Sequence, residues 1–221
     1  MFSPLYSSLV VLDSTGNVGT HSSIMIGSDG LALVTYYDEG TKDLKVVHCT
    51  NIACTTNDNP VTLDSTGDVG TYTSMALGID GFGVISYRDG TNENLKIIHC
   101  TNVACTSAST PIVADSGGAI GEYSSIVIGD DGFGLISYYD KTNTALKAVH
   151  CRDIACSAVD SPVTLDTDQN VGKHTSIAIG ADGLGLISYY DETNGDLKIA
   201  HCSNLVCSTA TNITVDSQGN V

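Results

Sequence analysis

Short apolar runs alternate with glycine-containing polar turns along the whole chain, and none of the runs has the spacing of an amphipathic helix. Runs such as Leu33-Val34 and Ile97-Ile98 are apolar at adjacent positions, which indicates strands that are buried on both faces. The Asp-Gly and Asn-Gly pairs between runs are typical of β-hairpin turns. The pattern therefore predicts an all-β protein made of short, buried strands.

The same pattern occurs four times in succession. His-Cys pairs recur at a spacing of 51 residues, beginning at His48, His99, His150 and His201. Each copy contains four predicted strands, and units of this length that bury both faces of their strands favour a four-bladed β-propeller over a stacked β-solenoid. We assign one domain, 1-221, with an extra N-terminal strand in residues 1-13, repeats at about 14-64, 65-115, 116-166 and 167-216, and a tail at 217-221.

One stretch of the repeat carries a family resemblance. It reads Ser-Ile-x-Ile-Gly-x-Asp-Gly-x-Gly-Leu-Ile-Ser-Tyr-Tyr-Asp, with Leu-Lys and His-Cys further on. It resembles propeller-type repeats of poorly characterised secreted bacterial proteins and, more distantly, the blades of sialidase-like propellers. The resemblance extends over nearly the whole chain and implies the propeller fold, but it brings no assigned activity.

The eight cysteines form four identical Cys-x4-Cys pairs. We predict four local disulfides, one per repeat: Cys49-Cys54, Cys100-Cys105, Cys151-Cys156 and Cys202-Cys207. Metal sites built from His-Cys-x4-Cys are the alternative, but adjacent residues on a strand point to opposite faces and do not converge easily on one ion. Disulfides persist in oxidising compartments, so we expect a secreted, extracellular or cell-surface protein, although Met1 to Tyr6 show no basic segment of a signal peptide.

The charge balance excludes some partners. The chain has 9 Lys and Arg against 25 Asp and Glu, a formal net charge of -16. Nucleic-acid binding needs clustered basic residues, so we expect no DNA or RNA partner. The apolar run from Leu9 to Leu12 is far shorter than the roughly 20 residues that cross a bilayer, so we expect no membrane insertion.

One end of the predicted propeller is rich in aromatic and polar residues, which suit contact with sugar rings and hydroxyls. The alternative is that these residues only complete the packing of the blade ends. Calcium is a possible ligand at Asp64 and Asp68, whose oxygens fall in one loop, and no other cofactor is expected. The residues of the candidate ligand face are His21, Tyr72, Tyr123, His174, Tyr37, Arg88, Tyr139 and Tyr190.

The histidine of each His-Cys pair is expected to be a buried structural group, although a catalytic or metal-binding ring is the alternative. Buried imidazoles need hydrogen-bond partners. We predict that a neighbouring blade provides them, through the aspartates of its second hairpin: Asp38, Asp89, Asp140 and Asp191.

The chain offers little that indicates catalysis. Its two arginines, Arg88 and Arg152, are too few for the arginine cluster of sialidases, and no glutamate pair stands out as an acid and base. Arg88, Arg152, Glu122 and Lys173 are each unlike the corresponding residues of the other repeats. We therefore predict that the protein is not an enzyme.

The outer-strand segment occurs five times for four repeats, from Val10-Asp13 to Ile213-Asp216, so one copy is surplus. An unpaired strand templates pairing with another chain. We predict a non-catalytic structural protein that associates with itself as a ring or filament. A glycan-binding module is the first alternative, and a glycoside hydrolase is the second. The predicted assembly contacts are Phe2, Leu5, Tyr6, Val10 and Leu12.

Overall fold

The computed structural model describes residues 9-219. These residues form sixteen strands in four antiparallel sheets of four strands each. The described residues contain no helix that is long and apolar enough to cross a membrane. The predicted all-β, four-bladed propeller is confirmed.

Each sheet is one blade, and its strands follow one another in chain order from the axis outward. Blade 1 consists of β1 Val18–Ile26, β2 Ala32–Asp38, β3 Asp43–His48 and β4 Val61–Asp64. Blade 2 consists of β5 Val69–Leu77, β6 Gly83–Asp89, β7 Asn94–His99 and β8 Ile112–Asp115. Blade 3 consists of β9 Ile120–Ile128, β10 Gly134–Asp140, β11 Ala145–His150 and β12 Val163–Asp166. Blade 4 consists of β13 Val171–Ile179, β14 Gly185–Asp191, β15 Asp196–Cys202 and β16 Ala210–Asp216.

The hairpins of a blade are closed by aspartates that accept backbone hydrogen bonds. Between β2 and β3, Oδ1 of Asp38 accepts from the amides of Gly40 and Thr41 at 2.9 and 3.1 Å. Between β1 and β2, Oδ1 of Asp29 accepts from the amide of Leu31 at 3.0 Å. A short side chain that bonds the backbone two or three residues later favours a tight turn over continued strand.

The hydrophobic core lies between blades, not within one. Leu33 and Leu44 of blade 1 pack against Met75, Ile85 and Tyr87 of blade 2, and blades 2 and 3 and blades 3 and 4 repeat this arrangement. Full burial of one such aliphatic side chain contributes roughly 1.5-3 kcal/mol. The middle strands of blades 2 and 3 are apolar on both faces because each of them contacts a blade on either side.

A buried polar contact accompanies each of these cores. The Tyr87 hydroxyl donates to Oδ2 of Asp64 at 2.7 Å, and Nζ of Lys96 lies 2.5 Å from the same oxygen. Asp64 ends blade 1, whereas Tyr87 and Lys96 belong to blade 2. We call this group the inter-blade clamp, because its carboxylate at the end of one blade accepts hydrogen bonds from side chains of the next blade. The clamps are Asp64–Tyr87–Lys96, Asp115–Tyr138–Lys147 and Asp166–Tyr189–Lys198.

All four predicted disulfides are present, so the predicted pairing is confirmed. Each closes the loop between the third and fourth strands of its blade, with Cα atoms 4.8 to 4.9 Å apart. The sulfur atoms are bonded to one another, and all described cysteines are paired.

The histidines are partly or fully buried as predicted, but their predicted partners are wrong. Nε2 of His48 lies 2.9 Å from Oδ2 of Asp29, and its Nδ1 lies 3.1 Å from Oδ2 of Asp58. The strand register explains the difference. His48 pairs with Leu33 near the start of β2, beside the first hairpin, whereas Asp38 lies at the other end of that strand.

The surplus segment is described from Leu9 onward, and it does not join a sheet. β4 already occupies the outer position of blade 1 through its pairing with β3, and Val10 to Asp13 pair with no strand. Instead, the Tyr36 hydroxyl donates to Oδ2 of Asp13 at 2.6 Å. Val10 is exposed and Leu12 is half-buried. Phe2, Leu5 and Tyr6 lie outside the described residues.

Candidate functional site

A cavity of about 340 Å³ lies where the innermost strands of the four blades meet. Each blade contributes two consecutive residues, one with an aromatic or imidazole ring and one with a hydroxyl. We call this space the axial cavity. Its lining residues are His21, Ser22, Tyr72, Thr73, Tyr123, Ser124, His174 and Thr175.

A repeated β-bulge places the ring-bearing residues in this cavity. The pairing between β1 and β2 is irregular from Thr20 to Ser23, and the other three blades have the same irregularity. The residue in the bulge has a positive φ in every blade, for example 51° at His21 and 53° at Tyr72. Non-glycine residues rarely adopt this conformation, and bulges commonly redirect a side chain near a functional site.

The four rings form a continuous series. Ring centroids are 4.6 Å apart for His21 and Tyr72, 4.8 Å for Tyr72 and Tyr123, and 4.2 Å for Tyr123 and His174. All three pairs are tilted, and such pairs contribute about 0.5-1.5 kcal/mol each beyond their buried area. The rings therefore form a preformed curved surface around the axis.

A second set of residues stands one layer outward. Tyr37, Tyr139 and Tyr190 contact the inner rings, with centroids 6.2 to 6.5 Å from His21, Tyr123 and His174. Arg88 occupies the corresponding position in blade 2. The structure thus brings all eight residues of the predicted ligand face to one end of the propeller. Their contact with a ligand remains a prediction.

Two of the outer tyrosines connect neighbouring blades. The Tyr37 hydroxyl donates to Oδ1 of Asp68 at 2.7 Å, and the Tyr139 hydroxyl donates to Oδ1 of Asn170 at 2.5 Å. Burial, followed by the bond to Asp68, raises the pKa of Tyr37. Burial alone would raise the pKa of Asp68, but the hydrogen bonds from Tyr37 and Lys42 hold it below its ordinary value.

The calcium candidates are held by different partners. Asp64 is buried in the first inter-blade clamp, and Asp68 accepts from Tyr37 and from Nζ of Lys42 at 3.0 Å. Among residues 9-219, no group of three or more histidines, cysteines and carboxylates is arranged to hold a metal ion. Calcium binding stays a prediction.

Two ion pairs of opposite orientation involve residues that precede ring residues of the axial cavity in sequence. In blade 3, Oε1 of Glu122 lies 3.1 Å from Nζ of Lys141, and in blade 4, Nζ of Lys173 lies 2.5 Å from Oε2 of Glu192. Glu122 and Lys173 occupy equivalent positions next to Tyr123 and His174. The blades therefore differ in charge around an otherwise repeated ring.

Lys173 also contacts a neighbouring blade. Its Nζ lies 5.6 Å from the ring centroid of Tyr139, a cation–π geometry. The hydrogen bond to Glu192 raises the pKa of Lys173. Comparison of the repeats already marked Glu122 and Lys173 as unusual. Their partners Lys141 and Glu192 were missed, because the hairpin that carries them comes close only through strand pairing.

The two arginines are far apart in the fold. Arg88 is largely buried on the aromatic end, with Nη2 3.6 Å from Oε1 of Glu93 and with Nε lacking a hydrogen-bond partner among the described residues. Arg152 follows β11 in the disulfide loop, where Nε lies 3.6 Å from Oδ1 of Asp160. They do not form an arginine cluster.

Two ring residues have shifted pKa values. Burial lowers the pKa of His21, although the charge of Glu39 opposes this effect. Burial, followed by the charge of Glu122, raises the pKa of Tyr72 to about 12. At neutral pH the ring therefore offers an uncharged imidazole and a protonated hydroxyl, both suited to hydrogen bonding with an uncharged ligand.

Sequence comparison adds no family assignment. No protein-family model matches the chain. No curated protein matches it either.

Several solved structures share the fold. A protein of unknown function from Dyadobacter fermentans is similar at a TM-score of 0.68 and 11% identity, over 91% of this chain and 70% of that one. An α-L-arabinofuranosidase from Clostridium thermocellum is similar at 0.57 and 14%, over 86% of this chain and 70% of that one. A Hadza microbial sialidase is similar at 0.61 and 13%, over 89% of this chain and 46% of that one. The sialidase-like propeller resemblance seen in the sequence is therefore confirmed at the level of the fold.

These comparisons correct two predictions. The prediction of a non-catalytic structural protein that assembles through its surplus strand is wrong, and so is the prediction that the chain is not an enzyme. The similar structures include an arabinofuranosidase and a sialidase, so this fold carries enzymes that act on carbohydrates. The error has a physical cause. A propeller assembles its site from residues on different blades. The spacing of residues within one repeat therefore does not predict which side chains come together in the site.

Proposed function

We propose that the protein is a carbohydrate-active propeller that binds a glycan over the axial cavity. The observation that carries the proposal is one cavity lined by the rings of His21, Tyr72, Tyr123 and His174 and by four hydroxyl-bearing residues. Aromatic faces cover the apolar C–H side of a sugar ring, while the hydroxyls, imidazoles and carboxylates bond its hydroxyl groups. Concave sites with a few convergent polar groups are the usual form of small-ligand sites.

The size and exposure of the cavity support this assignment. Its volume of about 340 Å³ falls within the usual range of ligand sites, roughly 300-1,000 Å³. His21 and His174 are exposed, whereas Tyr72 and Tyr123 are half-buried. One side of the ring is thus open to an incoming ligand while the other side is held by neighbouring residues.

The four disulfides and the carbohydrate-acting proteins of similar fold support an extracellular site of action. In that setting the acidic surface, with a net charge of -16, keeps the protein soluble. The expected ligand is a glycan of a cell surface or extracellular matrix.

Binding is tested with Tyr123→Ala and Tyr72→Ala on glycan arrays and by calorimetry. Each substitution should weaken binding at least tenfold, because it removes a ring surface from the cavity, and should lower the thermal midpoint by no more than the loss of its ring contacts explains. The matched control is Ile52→Ala, an exposed apolar residue in the distant disulfide loop. A wild-type chain that binds no glycan, or equal losses in the control, would overturn the proposal.

Hydrolysis of the bound glycan is a second candidate, favoured by Glu122. This glutamate is buried beside Tyr123, and the equivalent residues of the other blades are Thr20, Thr71 and Lys173. Most glycoside hydrolases use two carboxyl groups that flank the bond to be broken. In this reading Glu122 donates a proton to the leaving glycosidic oxygen as the bond to the anomeric carbon breaks. Glu192, at the same end, accepts a proton from the water that attacks that carbon.

The test is release of sugar from nitrophenyl arabinofuranosides and galactosides and from sialyl substrates. Glu122→Gln should lower turnover at least 100-fold while glycan binding persists. Glu93→Gln, an exposed glutamate of a neighbouring hairpin, is the matched control and should keep full activity. Wild-type protein that binds glycans without hydrolysing any of them would reject catalysis and leave the binding proposal in place.

A further inference from the structure

The faces that blade 4 and blade 1 turn toward each other differ from the three packed interfaces. Ile24 of β1 is 66% exposed, whereas the corresponding residues Met75, Ile126 and Ile177 are 7%, 6% and 8% exposed. Those three residues are buried because the preceding blade covers them. Blade 1 therefore presents an apolar face that its own chain leaves uncovered within the described residues.

Blade 4 presents the complementary face. Leu186 of β14 is 37% exposed, whereas its counterparts Leu33, Val84 and Leu135 are at most 1% exposed. Leu197 and Val215 of the same face are exposed as well. We call the space between these two faces the seam.

The glycines that precede the ring residues show the same asymmetry. A Cβ atom on Gly70 would lie 2.7 Å from Cα of Leu44, and one on Gly172 would lie 2.7 Å from Cα of Leu146. Each of these leucines belongs to the preceding blade. A Cβ atom on Gly19 would meet no atom within 4 Å. The position where a preceding blade's leucine belongs is thus open beside Gly19.

The inter-blade clamp differs from the three packed interfaces at each side of the seam. On blade 1, Asp13 takes the place of the carboxylate, with Tyr36 at 2.6 Å and Nζ of Lys45 at 4.0 Å. Asn57 Nδ2 also donates to the Leu12 carbonyl at 3.1 Å. Leu12 and Asp13 therefore contact blade 1 in the way that the end of a preceding blade's outer strand contacts the next blade.

On blade 4, the opposite half of the clamp is present. Asp216 ends β16 as Asp64, Asp115 and Asp166 end the other outer strands. Those three carboxylates are buried by the tyrosine and lysine of the next blade, whereas Asp216 is exposed. The seam thus offers a carboxylate on one side and an outer strand on the other.

We propose that the seam is a docking surface for a three-stranded unit of this same repeat. Its tyrosine and lysine would bind Asp216, its inner strand would cover Leu186 and Leu197, and its opposite face would cover Ile24 and fill the space beside Gly19. Residues 9-13 would complete it as a fourth strand. A second copy of the chain fits less well, because its Tyr36 is already bonded to its own Asp13.

The test adds such a unit to the full chain. A second copy of residues 70-105, which contains Tyr87, Lys96 and one disulfide, is joined after Val221, since Ser217-Val221 aligns with Ser65-Val69. Accessibility of the seam is measured as maleimide labelling of Ile24→Cys. The control chain carries the same added unit with Y87F and K96M in that unit only.

We expect the added unit to slow labelling of Ile24→Cys at least tenfold and to raise the thermal midpoint, with a smaller effect in the control chain. Labelling of Ile52→Cys, remote from the seam, should stay fast in both chains. Unchanged labelling of Ile24→Cys in a folded, monomeric chain would overturn the proposal. Protection of Ile24→Cys without the added unit, in a chain that light scattering shows to be a dimer, would assign the seam to a second copy and also overturn it.

Discussion

The Tyr138 hydroxyl of blade 3 donates a 2.7 Å hydrogen bond to Oδ2 of Asp115, the last residue of blade 2. Nζ of Lys147 lies 2.5 Å from the same oxygen. Both partners come from one blade and the carboxylate from another, so the contact exists only when the blades are packed. Buried polar groups in such clusters stabilise the fold when every member is satisfied.

Removal of one clamp hydroxyl should therefore loosen an interface. Tyr138→Phe keeps the ring but deletes the bond to Asp115, and we expect a loss of about 1-2 kcal/mol in the free energy of unfolding. Tyr36→Phe is the matched control, because its hydroxyl bonds only the terminal segment through Asp13, and a smaller loss is expected. Urea denaturation measures both. Equal losses would contradict a role of the clamp in joining blades.

Acid should weaken the clamps. Burial alone raises the pKa of Asp115, but the bonds from Lys147 and Tyr138 outweigh it and hold the pKa below its ordinary value. A lowered pKa in the folded state contributes stability that is fully present above the unfolded value of about 3.9 and is lost as the pH falls through the folded value. The free energy of unfolding should therefore decline steeply below about pH 4.

The comparison variant for this decline is Asp115→Asn, which should be less stable than wild type at pH 7 and decline less steeply in acid. Asp216→Asn removes the equivalent but exposed carboxylate of blade 4, and its profile should follow that of wild type. Chemical denaturation from pH 2.5 to 7 tests both. If the free energy of unfolding of Asp115→Asn falls as steeply in acid as that of wild type, the acid decline does not come from the Asp115 carboxyl.

Alanine substitutions at Gly70 and Gly19 distinguish a packed interface from the seam. Gly70→Ala places a Cβ atom 2.7 Å from Cα of Leu44, at a position where φ is 109°. We therefore expect the free energy of unfolding to fall by more than about 3 kcal/mol, or the chain to fail to fold. Gly19→Ala has a φ of 99° but open space around it, so only the backbone strain of about 1-2 kcal/mol is expected. Calorimetry compares the two chains. Losses of similar size would mean that Gly19 is also covered in solution.

The disulfides should act as independent local links. The double substitution Cys151→Ser and Cys156→Ser removes one loop closure, which the chain-entropy model puts at about 2 kcal/mol. Unreduced, denatured wild-type protein should contain no free thiol, and peptide mapping should recover four local links. Detection of free thiols, or of links between repeats, would disprove the pairing.

Local patterns decided much of the architecture. A spacing of 51 residues, hairpin signals and strands apolar on both faces were enough to predict four blades, and identical Cys-x4-Cys pairs were enough to predict four disulfides. These features depend on residues that are close in sequence, where turn geometry and the alternation of side chains act directly. The aromatic end of the propeller followed from the same reasoning, because equivalent positions of equivalent blades must lie at one end.

Contacts between blades were decided only by the tertiary structure. Asp64 meets Tyr87 and Lys96, and Tyr37 meets Asp68, through the packing of one sheet on the next. Tyr72 and Tyr123 have a left-handed backbone conformation that turns their rings toward the axis. This conformation depends on the strand register, which cannot be predicted from composition. Ile24 shows the limit most clearly, since it occupies the same position in its repeat as the buried Ile126. Identical local sequence patterns become different surfaces because burial depends on which neighbour is present, and that is a property of the assembled blades.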